Sequence, residues 1–231
     1  MKIRIIFLLL LVGALTTESW GKKLRLPEAE PTTLISGSVT YLVKVEPLRQ
    51  VGGADPITHL TRTDDPQWEG YLSDHYMVEA SSSTIVSGSS FIVHYKPTTV
   101  SNQESLKPEQ WGQWKSFTCG NVKDNDWFYG LYGKYLLIDQ GCCPEPRDLE
   151  IIDLETKKVV HHDSYSRPVY IKKDVLIYWE DTKEKATPGN CPDYAHNLAG
   201  GPGGGIDEKV EFDFKSLRLR HTGEKRCSFR Q

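Results

Sequence analysis

Short stretches of alternating apolar and polar residues, separated by clusters of Gly, Pro, Ser, Asn and Asp, run through most of this chain. Val39 to Val45 (VTYLVKV) has the period of two and the β-branched content of a strand. Strand-like runs follow at Tyr71 to Ala80 and Thr84 to Lys96, with turns supplied by Ser81–Ser83 and Ser87-Gly88-Ser89. Phe117 to Cys119 is a short extended piece. Further strands are predicted at Trp127–Tyr129, Tyr135–Asp139, Leu149–Leu154, Lys158–His162, Val169–Ile171 and Val175–Trp179, with a closing hairpin of Val210–Phe214 and Leu217–His221.

Three long polar segments interrupt this pattern and read as loops. Residues 47–66 carry Gly52-Gly53, Pro56 and Asp64-Asp65-Pro66, all turn chemistry. Residues 98–115 are polar and hold a single helical signal near Pro108–Trp114, where proline suits a first helical turn. Residues 181–205 contain Cys191, Pro192 and the glycine-rich run Gly200 to Gly205. The expectation is an all-β chain: an antiparallel meander with long loops and at most one short helix.

Two segments repeat one another. EIIDLETKKVVHH around Asp153 matches VEFDFKSLRLRHT around Asp213, aligning Asp153 with Asp213, Leu154 with Phe214, Thr156 with Ser216 and His161 with His221. Each reads as strand, polar turn, strand. Together with the looser echo in HYMVEAS, KYLLIDQG and DVLIYWED, these segments resemble β-propeller blades, in which an apolar strand ends in Asp-Leu-x-Thr before a basic return strand. The resemblance covers residues 127–222 and extends in outline to exported bacterial proteins of unassigned function. It implies a propeller-blade-like meander, a partly open barrel or a sandwich.

The N-terminus changes the picture of where the chain works. Lys2 and Arg4 precede an apolar run from Ile5 to Leu15, and Ser19 and Gly21 take the small-residue positions of a cleavage site. That is the pattern of a secretory leader over residues 1–21, too short to span a membrane. Residues 22–38 then read as a flexible mature N-terminus and 39–231 as one β-rich domain. Without the leader the chain has 26 Lys+Arg against 30 Asp+Glu, a net charge of −4. Such a surface gives no basic field for nucleic acid, and no other stretch is apolar enough for a membrane span. A periplasmic or secreted location follows.

Export makes disulfides reasonable for the five cysteines, all in the second half of the chain. The preferred pairing joins Cys191 to Cys227 and Cys119 to either Cys142 or Cys143, leaving one thiol over. Cys142-Cys143-Pro144 lacks the spacing of a redox motif.

Catalytic spacings are absent: no Gly-x-Ser-x-Gly, no His-Glu-x-x-His, no phosphate-binding glycine loop ending in Lys. His161, His162 and Asp163 could offer a metal two imidazoles and a carboxylate, but the adjacent histidines face opposite sides of a strand and cannot readily share one ion. Asp124-Asn125-Asp126 reads as an acidic turn rather than a calcium loop. No cofactor is implied. Trp111 and Trp114 (WGQW), in a polar loop, are the candidates for binding a protein or glycan partner. The expected function is an exported, non-enzymatic binding protein of the cell envelope, with recognition carried by the three loops. The alternatives are an envelope hydrolase using Asp, Glu and His from the same loops, and a structural or stress-related envelope protein.

Overall fold

The structure, a computed structural model, describes residues 32–36, 39–46, 51–82, 88–100, 108–121, 125–141, 146–192, 194 and 203–229. The leader and Cys142-Cys143 lie outside them. In chain order the strands are β1 (Thr32–Ser36), β2 (Val39–Glu46), β3 (Val51–Gly52), β4 (Ile57–Arg62), β5 (Trp68–Leu72), β6 (Tyr76–Ser82) and β7 (Ser89–Tyr95). The helix α1 (Pro108–Trp111) follows, then β8 (Ser116–Cys119), β9 (Asp126–Tyr132), β10 (Tyr135–Gln140) and β11 (Arg147–Asp153). The last strands are β12 (Lys158–Lys172), β13 (Val175–Lys185), β14 (Gly204–Asp213) and β15 (Arg218–Phe229). An antiparallel, all-β meander with one short helix is what the alternation predicts.

One sheet has the order β1-β2-β4-β5-β6-β7-β8 and a second runs β15-β14-β13-β12-β11-β10-β9. The second sheet is bent at β12. Its first half, Lys158 to Tyr165, pairs with β11, whereas Ser166 to Lys172 pairs with β13 across a register shift between Ser166 and Tyr170. The cis Arg167–Pro168 bond lies within that shift. Each half is thus a four-stranded antiparallel meander, β9–β12 and β12–β15, sharing one strand. This is the blade-like arrangement that the repeated hairpin predicts.

The β9–β12 meander is the middle layer. Leu136, Ile138 and Ile152 pack with Ile57, Tyr76, Val78, Phe91 and Val93 of the first sheet. The alternate residues Tyr135, Leu137, Leu149 and Ile151 pack with Leu176, Tyr178, Val210 and Phe212 of the outer meander. Burial on both faces explains why β10 is apolar without alternation, its first five residues all buried. We call the space between the two meanders the seam.

The repeat closes both meanders with one device. Asp153 Oδ1 accepts from the N–H groups of Glu155 (2.9 Å) and Thr156 (3.0 Å), and Asp213 Oδ1 from those of Lys215 (2.9 Å) and Ser216 (2.7 Å). The chain then turns through positive φ at Lys157 (58°) and Leu217 (55°). Leu154 and Phe214 are buried beside their turns.

Several expected boundaries are corrected. Thr32–Ser36, placed in the flexible N-terminus, forms β1 against β2. Residues 47–66 are not one loop. Ile57 and Leu60 are buried, and between Pro56 and Asp64 the segment ITHLTR joins the first sheet between β2 and β5. Val51-Gly52 pairs in parallel with β12, and a Cβ at Gly53 (φ 80°) would sit 2.3 Å from the Ile171 carbonyl oxygen, which requires the glycine. Residues 181–205 are shortened at both ends, because β13 runs to Lys185 and pairs there with Gly205 of β14. The stretches 158–162 and 169–171 are one strand, and β15 continues past His221 to Phe229.

Candidate functional site

Trp111 and Trp114 do not form a surface platform. They are only 3% and 8% exposed, packed with Leu60, Trp68, Leu72 and Met77, and Trp111 lies parallel to Trp68 at 6.0 Å between ring centroids. The first sheet is apolar on both faces, and WGQW covers the face turned away from the middle layer. Gly112 and Gln113, between the two tryptophans, are exposed. Their assignment as partner-binding residues is therefore withdrawn.

Of the cysteines, Cys191 and Cys227 form a disulfide with 5.7 Å between Cα atoms, the pairing expected. Cys119 is a free thiol, so its expected bond to Cys142 or Cys143 is not formed. The side chain turns instead toward the cluster around Phe91. Burial, with the Glu150 and Asp126 carboxylates beside it, pushes that thiol up to about 12. It stays protonated at neutral pH and makes a poor nucleophile.

Polar chemistry collects instead at one end of the seam. Alternation along β12 puts His161, Asp163 and Tyr165 on one face, and along β13 it does the same for Leu176, Tyr178 and Glu180. From the turns at Asp153 and Asp213, the seam begins with Phe214, Leu176 and Phe212, then reaches His161, Tyr178 and Val210. Beyond them lie Asp163, Glu180, and Glu208 of β14, the register partner of Glu180.

The Tyr178 hydroxyl donates to Asp163 Oδ2 at 2.6 Å, and His161 Nε2 lies 2.8 Å from the same hydroxyl oxygen. The one hydroxyl proton goes to the carboxylate, so His161 must carry its proton on Nε2 and donate. The imidazole stacks on Phe212 at 4.4 Å, and burial lowers its pKa, with Asp163 acting the other way. His162, on the opposite face as expected, reaches Gln140 Oε1 at 3.2 Å.

At the mouth, His221 Nδ1 is 3.3 Å from Glu180 Oε2 and 3.8 Å from Glu208 Oε1. Glu208 also accepts from the Gly223 N–H at 3.0 Å. Burial and then the neighbouring Asp163 carboxylate raise Glu180 above the ordinary value, against the pull of His221. Among the described residues no Lys or Arg forms an ion pair with Asp163, Glu180 or Glu208. Asp139 differs: it is buried and already neutralised, accepting from Arg147 Nε (2.6 Å) and the Tyr165 hydroxyl (2.8 Å).

Among the described residues no group of three or more His, Cys, Asp or Glu is arranged to hold a metal ion. No helix there is long and apolar enough to cross a membrane. Sequence reading singled out His161 and His221 through the repeat and weighed Asp163 only as a metal ligand beside His161 and His162, but passed over Tyr178, Glu180 and Glu208. The usable signal was same-face alternation in HHDSY and YWE, which sets acids one step beyond an aromatic or imidazole on neighbouring strands.

No protein-family model matches the chain, and no curated protein matches it either. Among solved structures it is similar to the β-propeller domain of the Trilobed protease from Pyrococcus furiosus, described as having an open velcro topology. The TM-score is 0.36 at 9% identity, and the match covers 89% of this chain and 58% of that one.

Proposed function

We propose that this chain is an exported, non-enzymatic binding protein of the cell envelope. Its recognition surface is the acidic mouth of the seam, and its partner presents a cationic group, such as the lysine or arginine side chain of a protein. The observation that carries this is the convergence of Asp163, Glu180 and Glu208 beside His221, with no Lys or Arg paired to them among the described residues. Like charges held together by rigid strands raise each other's cost of ionisation, and Glu180 is accordingly held above the ordinary carboxylate value. An incoming ammonium or guanidinium relieves that cost directly. The leader-like residues 1–21 and the Cys191–Cys227 disulfide support the exported location.

Isothermal titration of the full chain with hexalysine tests this. Binding should weaken with salt and fall at least tenfold in the Asp163→Asn, Glu180→Gln double variant. Equal binding by that variant and the wild type would discard the reading. One observation favours an envelope hydrolase instead: Glu180, held above the ordinary carboxylate value, stands beside a second carboxyl group, the pairing that acid–base catalysis uses. Turnover of chromogenic glycosides or esters that disappears in Glu180→Gln would select it over the binding reading.

A further inference from the structure

A cavity of about 460 Å³ lies beside the disulfide, lined by Glu184, Asn190, Pro192, Ile206, Lys225 and Cys227. Its place relative to the acidic mouth follows from the register. Phe212, Val210, Glu208 and Ile206 alternate onto one face of β14, so Ile206 stands one step beyond Glu208. Lys225, the register partner of Glu208, lines the cavity, and so does Cys227, the partner of Ile206. The cavity begins where the mouth ends, about 7 Å along the same face.

We propose that one extended segment of a partner protein occupies both. A Lys or Arg of that segment enters the mouth, and a large apolar side chain two residues away enters the cavity. This rests on the reading of the mouth as a site for a cationic group.

The spacing selects an extended segment. Its residues i and i+2 share one face about 7 Å apart, the separation of Glu208 and Ile206 along β14. Residues i and i+1 point to opposite sides and cannot fill both places.

The charge balance selects an apolar companion to the cation. Arg226 pairs in register with Asp207 and turns to the opposite face, its guanidinium carbon 4.4 Å from the Trp179 ring centroid. Lys225 and Glu184 neutralise one another at 3.3 Å, and Asn190 Nδ2 donates to Glu184 at 2.8 Å. What the cavity offers a guest is the apolar surface of Ile206, Pro192 and Cys227. The mouth, one step away, offers carboxylates.

The walls are held and the entrance is open. The Cys191–Cys227 disulfide ties the Cys191 turn to β15, and the Thr182 hydroxyl donates to the Ile206 carbonyl at 2.6 Å. Asn190, Pro192 and Lys225 are exposed, so a side chain can enter from solvent without opening the fold.

The test is calorimetric titration of the full chain with capped hexapeptides of equal charge. Lys-Ser-Lys-Ser-Phe-Ser and its reverse, Ser-Phe-Ser-Lys-Ser-Lys, set Phe two residues from a Lys in either chain direction. Lys-Ser-Lys-Phe-Ser-Ser has the same composition with the two adjacent, and Lys-Ser-Lys-Ser-Ser-Ser lacks Phe. One spaced peptide should bind about tenfold more tightly than the Phe-free one, the scale of one aromatic side chain taken out of water. The adjacent isomer should gain less than about threefold. Pro192→Trp, which places an indole at the cavity from an exposed position, should erase the advantage of the spaced peptide and leave hexalysine binding unchanged. Its melting temperature checks the fold. Asp163→Asn with Glu180→Gln should weaken all four peptides together. Equal binding of spaced, adjacent and Phe-free peptides, or an advantage that survives Pro192→Trp, would overturn the proposal; if hexalysine still binds, the mouth stands without it. If hexalysine fails to bind as well, the reading of the mouth is refuted and this proposal falls with it.

Discussion

The hairpin at Asp153 and its copy at Asp213 close with the same hydrogen bonds, yet one turn is packed into the protein and the other stands in solvent. Asp153 is buried, and Lys134 Nζ lies 2.9 Å from its second carboxylate oxygen. Burial alone would raise its pKa, but Lys134 and the N–H groups of Thr156 and Glu155 hold it below the ordinary value. Asp213 has the turn contacts without that enclosure. Eight residues further on the histidines diverge in the same way. His161 is sandwiched in the seam against Phe212 and Tyr178, while His221 is exposed among carboxylates. A shared sequence pattern sets the local backbone in both copies. What packs against each copy then decides whether a matched residue is structural or available to a ligand.

The strongest test of backbone equivalence is the residue after each aspartate. Leu154 and Phe214 are both fully enclosed, in different core clusters. Leu154→Ala should cost about 2–5 kcal/mol and Phe214→Ala about 3–5 kcal/mol, measured by chemical denaturation. A loss below 1 kcal/mol at either would mean that its copy is not anchored as its burial implies. The aspartates should then separate the copies. Asp153→Ala leaves two turn N–H groups without their acceptor at a buried position, about 1–3 kcal/mol, while Lys134 keeps Glu155 as a partner. At Asp213 water can replace the carboxylate, so Asp213→Ala should lower the melting temperature by less than half as much. Equal losses would remove the distinction.

How much of this was legible beforehand follows from range. The hairpins were readable because Asp, an apolar residue and Thr or Ser at fixed spacing have a local mechanism: side-chain acceptor, buried anchor, turn. The strand β4 was hidden by its flanks, since Gly52-Gly53 and Asp64-Asp65-Pro66 are strong turn signals around only six strand residues. Trp111 and Trp114 were misplaced because their loop is polar, although a three-residue spacing puts both on one side of a helical turn. Trp68 and Leu72 also signalled an apolar outer face on β5. The acidic mouth was the least accessible. Asp163, Glu180, Glu208 and His221 come from four strands, and they meet only because β12 leaves one meander for the next around Arg167–Pro168. Nothing local to any of the four announces that bend.

The smallest effects fall on the two histidines, and there the comparison is most exposed. The folded protein holds His161 below the ordinary value of 6.5, so above that pH neither state binds the proton and the residue adds no pH dependence. Below it the unfolded chain takes up the proton first, and stability declines as pH falls toward the folded value. Glu180 works in the opposite sense: held above 4.5, it stays protonated in the folded state, so stability declines as pH rises from 4.5 to the folded value. His161→Gln should flatten the first limb, cost about 1–2 kcal/mol through the lost stacking on Phe212, and leave the second limb in place. His221→Gln should change stability by less than about 0.5 kcal/mol. Its effect belongs to binding: it should tighten hexalysine, because the imidazole no longer competes for Glu180 and Glu208. If His221→Gln instead destabilises the fold as much as His161→Gln, both histidines are scaffold. The mouth of the seam would then lose its claim to a ligand.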